Sequence, residues 1–486
     1  MIQNLIKHWI ERERIDYKVV LILLMLKKVS DNWKVEFEEA YKEILRYGLS
    51  EEEAREEAKK PEWHSGIDFP EEFLWENIRK DVERLPEKLH MALKSIVERN
   101  SQFLGVENLL NFMTLSENIE KIRKLFEEIS GFDTAKIDFS EIFDYIIIEH
   151  SLKEAKKGGI YTPKEIIFLI LHLLEPKSSE SIYDPSSSYG EFLLMAHKFA
   201  KERNIEISLY GEEEKEEQYL ISKINLTLNG VIDFNVVHTN SLLNPGFKEN
   251  GTFKKFDIVV SNPEWNQKNY HEEKLKTGEF WRERFKYGFP SKQSADWVWI
   301  QHMIASANDN RGRIGIVMDG GCLFRGGKEK AIRAKILEDD LIECVILLPE
   351  KLFYSNKGAS GVILILNKNK PENRKKKVLI IDASKEYGKH PSFRRLNILQ
   401  KENIDKIVQA YKEFKEIKGF SRILDINEIK ENDYNLNVGR YIFQEEVEEE
   451  VDILKEFSEL DELGRNVVEI WKKIEEYKNE LSKVLK

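Results

Sequence analysis

Cysteine is almost missing from this sequence: Cys322 and Cys344 are the only two in 486 residues. Two thiols close at most one bridge, so a disulfide scaffold is excluded, and neither has a Cys or His neighbour at zinc-ligand spacing. Both are expected to be reduced packing residues, and no metal is expected. Long apolar runs are missing too. The longest, Val19 to Leu26 (VVLILLML), is bounded by Lys18 and Lys27 and falls far short of the ~20 residues of a membrane span. The opening MIQNLIKHWIERER interleaves charge with apolar residues and has no signal-peptide core, so a cytoplasmic location and no membrane partner are expected. Nor is there surplus positive charge. Lys and Arg number 76 against 87 Asp and Glu, a net charge of -11, so a nucleic-acid substrate would require a partner or a local basic surface.

What is present divides by periodicity. From Met1 to Ile148 apolar residues recur at three- and four-residue spacing with no convincing strand, which predicts a helical N-terminal domain. Ser50 followed by Glu53 is a capping-box start. From residue 149 to 430 short β-branched runs alternate with helical segments. The runs are SIYD at 181, ISLYG at 207, FNVVH at 234, FDIVVS at 256, RIGIVM at 313, LIECVILLP at 341 and GVILIL at 361. Helices are predicted at Glu191–Arg203, Glu214–Leu228, Ala295–Ala307 and Lys328–Glu338. This alternation predicts an α/β domain with a parallel sheet covered on both faces. Residues 431–486 form a C-terminal helical segment. Its apolar positions Ile453, Phe457, Leu460, Leu463, Val467, Ile470, Ile474, Tyr477, Leu481 and Val484 make a seam that seeks another helix, of this chain or of a partner. The basic run NKNKPENRKKKV at 367–378 reads as a solvated loop between strands, with phosphate contact the lesser alternative.

In such sheets ligands sit at the carboxyl ends of strands. The first strand ends in YDPSSSYGEF, small residues and a glycine before a helix, the arrangement that brings backbone amides to a polar ligand. The second ends in LYGEEE, an acidic group placed to accept ribose hydroxyls or to cap the next helix. The third ends in HTNS, where Asn240 offers both donor and acceptor to an adenine edge. The fourth ends in SNPEW. An exocyclic amine such as adenine N6 needs acceptors aimed at its hydrogens, because its lone pair is delocalised into the ring. Asn262 Oδ1 and the carbonyl of Pro263 can accept them, and Trp265 can stack on a base flipped from a duplex.

These segments together resemble the modification subunit of type I restriction-modification systems, the N6-adenine DNA methyltransferases. GGIYTPKEIIFLILHLLEP, LYGEEEKEEQYLISKINLTLNG, FDIVVSNPEWNQ, ADWVWIQHMI, GRIGIVMDGGCLFRGGKEKAIRAKILE, IECVILLPEKLFYSNKGASGVILILNK and YNLNVGRY follow in family order. The resemblance implies a Rossmann-like S-adenosylmethionine-dependent methyltransferase sheet with a helical N-terminal domain and a C-terminal helical extension. It implies that Gly159, Ile160, Tyr161, Thr162, Pro163 and Lys164 line the S-adenosyl-L-methionine site. The loop carrying Asp184, Ser186, Tyr189, Gly190, Glu191 and Phe192 takes the methionine end, Glu213 the ribose and Asn240 the adenine. Asn262, Pro263 and Trp265 become catalytic, with Trp265 and Phe324 walling the base pocket. The implied partners are double-stranded DNA and a specificity subunit met through the C-terminal helix and N-terminal domain. A second copy of the chain and a restriction subunit can join the same assembly.

Four positions depart from the family pattern. The family's Asp-Pro-Ala-Cys-Gly-Thr-Gly-Gly-Phe has Ser188 and Glu191 at its first and last glycines; serine at positive φ costs of order 1 kcal/mol. Glu264 replaces the second proline of Asn-Pro-Pro-aromatic, and Asp319 stands where the proline before the GxLF segment is usual. Two other readings therefore stand beside DNA methylation: a diverged assembly subunit with weak or absent transfer, and a methyltransferase acting on protein glutamine or RNA.

Overall fold

The computed structural model describes residues 2–64, 67–110, 118–154, 161–231, 233–353, 360–391, 393–443 and 453–484. It has two compact units, Met1–Ile442 and Phe443–Lys486. The longer helices of the first part are α1 (Ile2–Glu11), α2 (Tyr17–Arg46), α3 (Leu85–Arg99), α4 (Ile119–Ser130) and α5 (Ser140–Glu154). Among the described residues no strand precedes Glu180. Asp16 caps α2 by accepting from the Lys18 amide at 2.9 Å, and α2 then runs for 30 residues with the whole VVLILLML stretch buried. Lys27, which bounds that run, is buried and paired with Asp31, whose Oδ2 also accepts from the Thr134 amide and hydroxyl at 2.8 and 2.7 Å. Lys28 donates to the carbonyls of Thr134 and Ala135 at 2.8 and 2.7 Å. These bonds fasten α2 to the loop after α4.

The sheet strands are β1 (Glu180–Asp184), β2 (Ile207–Glu213), β3 (Asn235–His238), β4 (Ile258–Ser261), β5 (Arg313–Asp319), β6 (Ile342–Leu347), β7 (Gly361–Asn367), β8 (Lys377–Asp382) and β9 (Ser421–Asp425). Their spatial order is β9-β8-β6-β7-β5-β4-β1-β2-β3. All seven expected runs are strands. The helices around them are α6 (Lys164–Leu174), α7 (Glu191–Arg203), α8 (Glu216–Leu228), α9 (Asp296–Ser306), α10 (Gly327–Glu338) and α11 (Lys401–Glu413).

The sheet is not wholly parallel, which corrects the expectation. β7 lies antiparallel between β5 and β6, and β9 is antiparallel to β8. A parallel step needs a long crossover, usually a helix, and none is predicted between the runs at 341 and 361. Every other strand points the same way, so the ends of β1, β2, β3, β4, β5, β6 and β8 share one carboxyl edge.

Each sheet face carries an apolar core, and the N-terminal helices form a third. Leu220, Ile221, Ile224 and Leu228 of α8 belong to that third core, so one helix is covered by strands on one side and by the helical region on the other. Leu436, Val438, Tyr441 and Ile442 pack into a sheet core. In the second unit, α12 (Ile453–Val484) is a single helix on which Leu460, Leu463, Val467, Ile470, Ile474 and Tyr477 are all exposed. The seam positions Ile453, Phe457, Leu481 and Val484 lie on this helix, but their side chains are outside the described residues. No described helix is long and apolar enough to cross a membrane.

Candidate active site

At the carboxyl edge the ends of β1 to β4 surround an open cleft lined by Ser186, Ser188, Glu213, Asn240, Asn262 and Glu264, among others. The strand pleat sorts the three glutamates after ISLYG. Glu213 faces the cleft, while its neighbour Glu212 is wholly buried and accepts from the Gly246 amide at 2.9 Å. Glu213 Oε2 accepts from the Ser188 amide and Oε1 from the Lys215 amide, both at 2.8 Å. Each oxygen keeps a second lone pair for a ligand hydroxyl. Asn240 Oδ1 accepts from the Leu243 amide at 2.9 Å, which fixes the carboxamide at the cleft wall.

The loop after β1 turns through two left-handed residues, Ser188 at φ 48° and Gly190 at φ 81°. The serine thus occupies the conformation that a glycine would hold without steric cost. Tyr189 does not narrow the cleft. Its ring is buried in the core of the N-terminal helices, so the glycine-to-serine change and the bulky neighbour leave the cleft open. Phe192 likewise belongs to a sheet core and supports the loop from behind. Tyr161 belongs to the same core as Tyr189 and donates its hydroxyl to Asp144 of α5, while Lys164 Nζ lies 3.9 Å from the same carboxylate. Pro163 caps α6. Gly159 and Ile160 lie outside the described residues.

Asp184, Glu191 and Glu213 are all buried around this loop. Burial, followed by hydrogen bonds that lower it and a raising contribution from Glu213, leaves Asp184 pushed up to about 7. Burial pushes Glu191 well above the ordinary carboxylate range, and Asp184, Asp144 and Glu213 push it further. Glu191 Oε2 accepts from the Tyr189 amide at 3.1 Å; its Oε1 has no partner among the described residues, nor has Ser187 Oγ. Crowded carboxyls with unused acceptors fit a ligand that carries positive charge.

The SNPEW turn is held from several sides. Ser261 Oγ donates to Asp184 at 2.7 Å, joining the ends of β1 and β4. Asn262 Nδ2 donates to Thr162 Oγ1 and Asn262 Oδ1 accepts from Trp265 Nε1, both at 2.9 Å. The carboxamide is pinned at both ends with one acceptor lobe left over. Trp265 is 8% exposed and packs edge-on against Phe353 at 4.8 Å, so its ring is seated in the core and is not the open stacking face expected from the sequence. The reason is local: its N–H is satisfied by Asn262, and Gly361 leaves room, since a Cβ there would come within 2.9 Å of the indole. Glu264 is exposed on the cleft wall and needs no buried partner. Phe324 stands 49% exposed after the turn that follows β5.

Sequence reasoning missed Trp299 and Gln267, both of which line the cleft and are bonded to each other at 3.0 Å. The signal was the indole in ADWVWIQ, one helical turn after Asp296. It also missed Arg325. This residue bonds Asp296, Glu329 and Asn266 Oδ1 and reaches Asp319 at 3.4 Å, while Asp296 Oδ1 accepts from the Asn266 amide at 2.9 Å. Asp319, standing in place of proline, caps its own turn by accepting from Gly321 N at 2.9 Å.

A mostly parallel α/β sheet whose strand ends carry acidic and carboxamide side chains around a cleft at its carboxyl edge is the Rossmann-like arrangement of a ligand-binding enzyme domain. The chain belongs to the N-6 DNA Methylase family, which matches residues 134–450. It is 41% identical to the type I restriction enzyme MjaVIII methylase subunit of Methanocaldococcus jannaschii, covering 98% of this chain and 83% of that one. It is 38% identical to the MjaVII methylase subunit of the same organism, covering 94% and 80%. In fold it is similar to the type I restriction-modification system methyltransferase subunit from Streptococcus thermophilus, with TM-score 0.76 and 24% identity over 91% of this chain and 97% of that one. The resemblance drawn from the motifs is therefore borne out.

Proposed function

We propose that the chain is the methyl-transferring subunit of a type I restriction-modification enzyme, acting in the cytoplasm on N6 of adenine in double-stranded DNA, with S-adenosyl-L-methionine as methyl donor. The observation that carries this reading is the carboxamide of Asn262, pinned by Thr162 and Trp265 beside a cleft lined by Glu213 and Asn240. When bound, S-adenosyl-L-methionine supplies a methyl group already activated by its sulfonium.

The chain's own residues then have orientation and charge to provide. Glu213 offers two carboxylate oxygens to ribose hydroxyls, and Asn240 offers its amide hydrogens to the adenine of the donor. Asp184 and Glu191 supply the negative field that a sulfonium or ammonium group requires. Asn262 Oδ1, with the Pro263 carbonyl, accepts the hydrogens of the target amine and so encourages N6 towards a tetrahedral, nucleophilic shape. Because both ends of the carboxamide are fixed beforehand, no reorientation is needed at the moment of transfer.

The exposed stripe from Leu460 to Tyr477 on α12 supports a helical contact with a specificity subunit, which would read the DNA sequence for this acidic chain. A second copy and a restriction subunit complete the assembly in this reading. A weakly active assembly subunit is the second reading, favoured by the left-handed Ser188 and the buried Trp265. Titration calorimetry with S-adenosyl-L-methionine, then label transfer to DNA with the specificity subunit present, separates the two. Binding and transfer are expected, with Asn262→Ala lowering transfer about 10²–10³-fold; no binding at millimolar donor would sink the active reading. Label entering protein in place of DNA would favour the glutamine-directed alternative.

A further inference from the structure

The run with the most cations in the sequence has much of its charge paired within the fold. Lys368 pairs with Asp309 at 2.8 Å, Lys370 with Asp340 at 2.6 Å, Arg374 with Glu343 at 3.2 Å and Lys375 with Glu372 at 2.7 Å. Between the end of β7 and the start of β8, it also lies at the amino edge of the sheet, away from the cleft. Lys368, Lys370 and Arg374 tie neighbouring elements together, while Lys376 and Lys377, exposed and without an ion pair among the described residues, face away from the cleft.

A different basic segment leaves β8 on the carboxyl edge. After Asp382 the chain forms a two-stranded ribbon in which Gly388–Lys389 pairs antiparallel with Asn397–Ile398. Asn397 anchors it, its amide donating to the Lys351 carbonyl at 2.9 Å and its Nδ2 to the Glu350 carbonyl at 2.8 Å. That stretch leads directly to Phe353, which packs on Trp265. Phe393 packs against the core of the N-terminal helices, and the Lys164 ammonium, beside Thr162 and Pro163, lies close enough to His390 to help burial lower its basicity. The ribbon therefore sits on the same rim as Asn262.

Lys385, Lys389, Arg394 and Arg395 are all exposed on it. Among the described residues none of the four forms an ion pair; Lys389 donates only to Asn397 Oδ1, at 3.2 Å. The one carboxylate within the segment, Glu386, is taken by Lys406 of α11. On a chain of net charge -11, four uncompensated cations beside the catalytic rim are a local reversal of sign.

We infer that Lys385, Lys389, Arg394 and Arg395 on this ribbon form a contact surface for the phosphate backbone of duplex DNA flanking the target base. This rests on the methyltransferase reading above and adds to it a surface that positions the duplex without reading its sequence. Each phosphate neutralised releases counterions, so each cation engaged should steepen the dependence of log affinity on log salt by about 0.9.

The test compares the full wild-type chain with the variant Lys385→Gln, Arg394→Gln, Arg395→Gln, using a fluorescent duplex of random sequence at a series of salt concentrations. Wild type is expected to bind at low salt. The triple variant should lose about 2–3 units of salt slope and ten-fold or more in low-salt affinity, with binding of S-adenosyl-L-methionine unchanged as the check on folding. Neutralising Lys375 and Lys376 at the opposite edge should leave the slope as it was.

An unaltered slope and affinity in the triple variant, or a wild-type chain that does not bind duplex at low salt, would overturn the assignment. So would loss of binding to an acidic protein partner with duplex binding retained. Methyl transfer reports separately. Label reaching DNA with an unaltered slope rejects the ribbon alone, whereas no label with the expected loss of slope rejects the methylation reading and keeps the surface.

Discussion

Two places in this molecule bury carboxylates, and they do so in opposite ways. In the N-terminal helices Asp31 meets Lys27, the Thr134 amide and the Thr134 hydroxyl, so its charge has partners on several sides. Beneath the cleft, Asp184 and Glu191 are as deeply buried but share their surroundings with Glu213 and Asp144, and one oxygen of Glu191 has no partner among the described residues. A carboxylate that is fully partnered holds helices together. In the function proposed above, a carboxyl that is crowded by others and pushed up in pKa meets its missing positive charge in the ligand.

The comparison breaks most sharply at Asp31. Asp31→Ala should destabilise the fold by about 3–5 kcal/mol, because it strands the buried Lys27 ammonium, and urea unfolding would measure this. Asp184→Asn should act the other way at alkaline pH. With an unfolded pKa of about 3.9 and a folded value of about 7, Asp184 binds an extra proton in the folded state between those limits. Its contribution to stability is fully present below the lower value. It falls by about 1.4 kcal/mol per pH unit through the window and is flat above it.

Glu212, also pushed up to about 7 by burial, adds a slope of the same sign. The Asn variant should therefore be more stable than wild type at pH 8 and should show a shallower loss between pH 5 and 7. An unchanged slope in thermal scans would place the proton elsewhere.

Binding of S-adenosyl-L-methionine sharpens the same contrast. A cationic ligand prefers ionised carboxylates, so affinity should rise with pH through about 7, where Asp184 gives up its proton, by no more than ten-fold per unit for each proton released. Calorimetry in buffers of different ionisation enthalpy would detect proton release below pH 7, and the Asp184→Asn variant should release fewer protons than wild type. The smallest effect is expected at the cleft wall. Glu264→Pro restores a rigid step beside the Pro263 carbonyl and removes an exposed carboxylate, leaving methyl transfer equal or up to about three-fold higher. A large fall would give Glu264 a role in the reaction.

The strands were legible because β-branched runs such as DIVVS and GIVM are interrupted by polar turns at regular intervals, and the ligand edge followed from which residues ended them. The final edge of the sheet was not. β8 carries the apolar run Val378 to Ile381 but begins inside a lysine-rich run that reads as a loop, and β9 is the short SRILD; both complete the sheet beside β6. Of the site, Glu213, Asn240 and Asn262 could be read because each is a polar residue at a strand end. The seating of Trp265 could not, since it depends on Phe353 and Gly361, contributed by distant parts of the chain. Nor could the sequence separate the neutralised cations near residue 370 from the exposed ones near residue 390, because the difference lies in which carboxylates the fold brings to them.

Gly361 carries one more implication. A Cβ at this position would meet Phe353 at 2.7 Å and Trp265 at 2.9 Å, so the freedom to change residue 265 is decided in part on another strand. Gly361→Ala should be poorly tolerated while the indole is present and much better tolerated beside Trp265→Phe. The pair is thus an epistatic unit whose double-mutant cycle departs from additivity, and any scheme for re-engineering the target base must treat the two positions as a single choice.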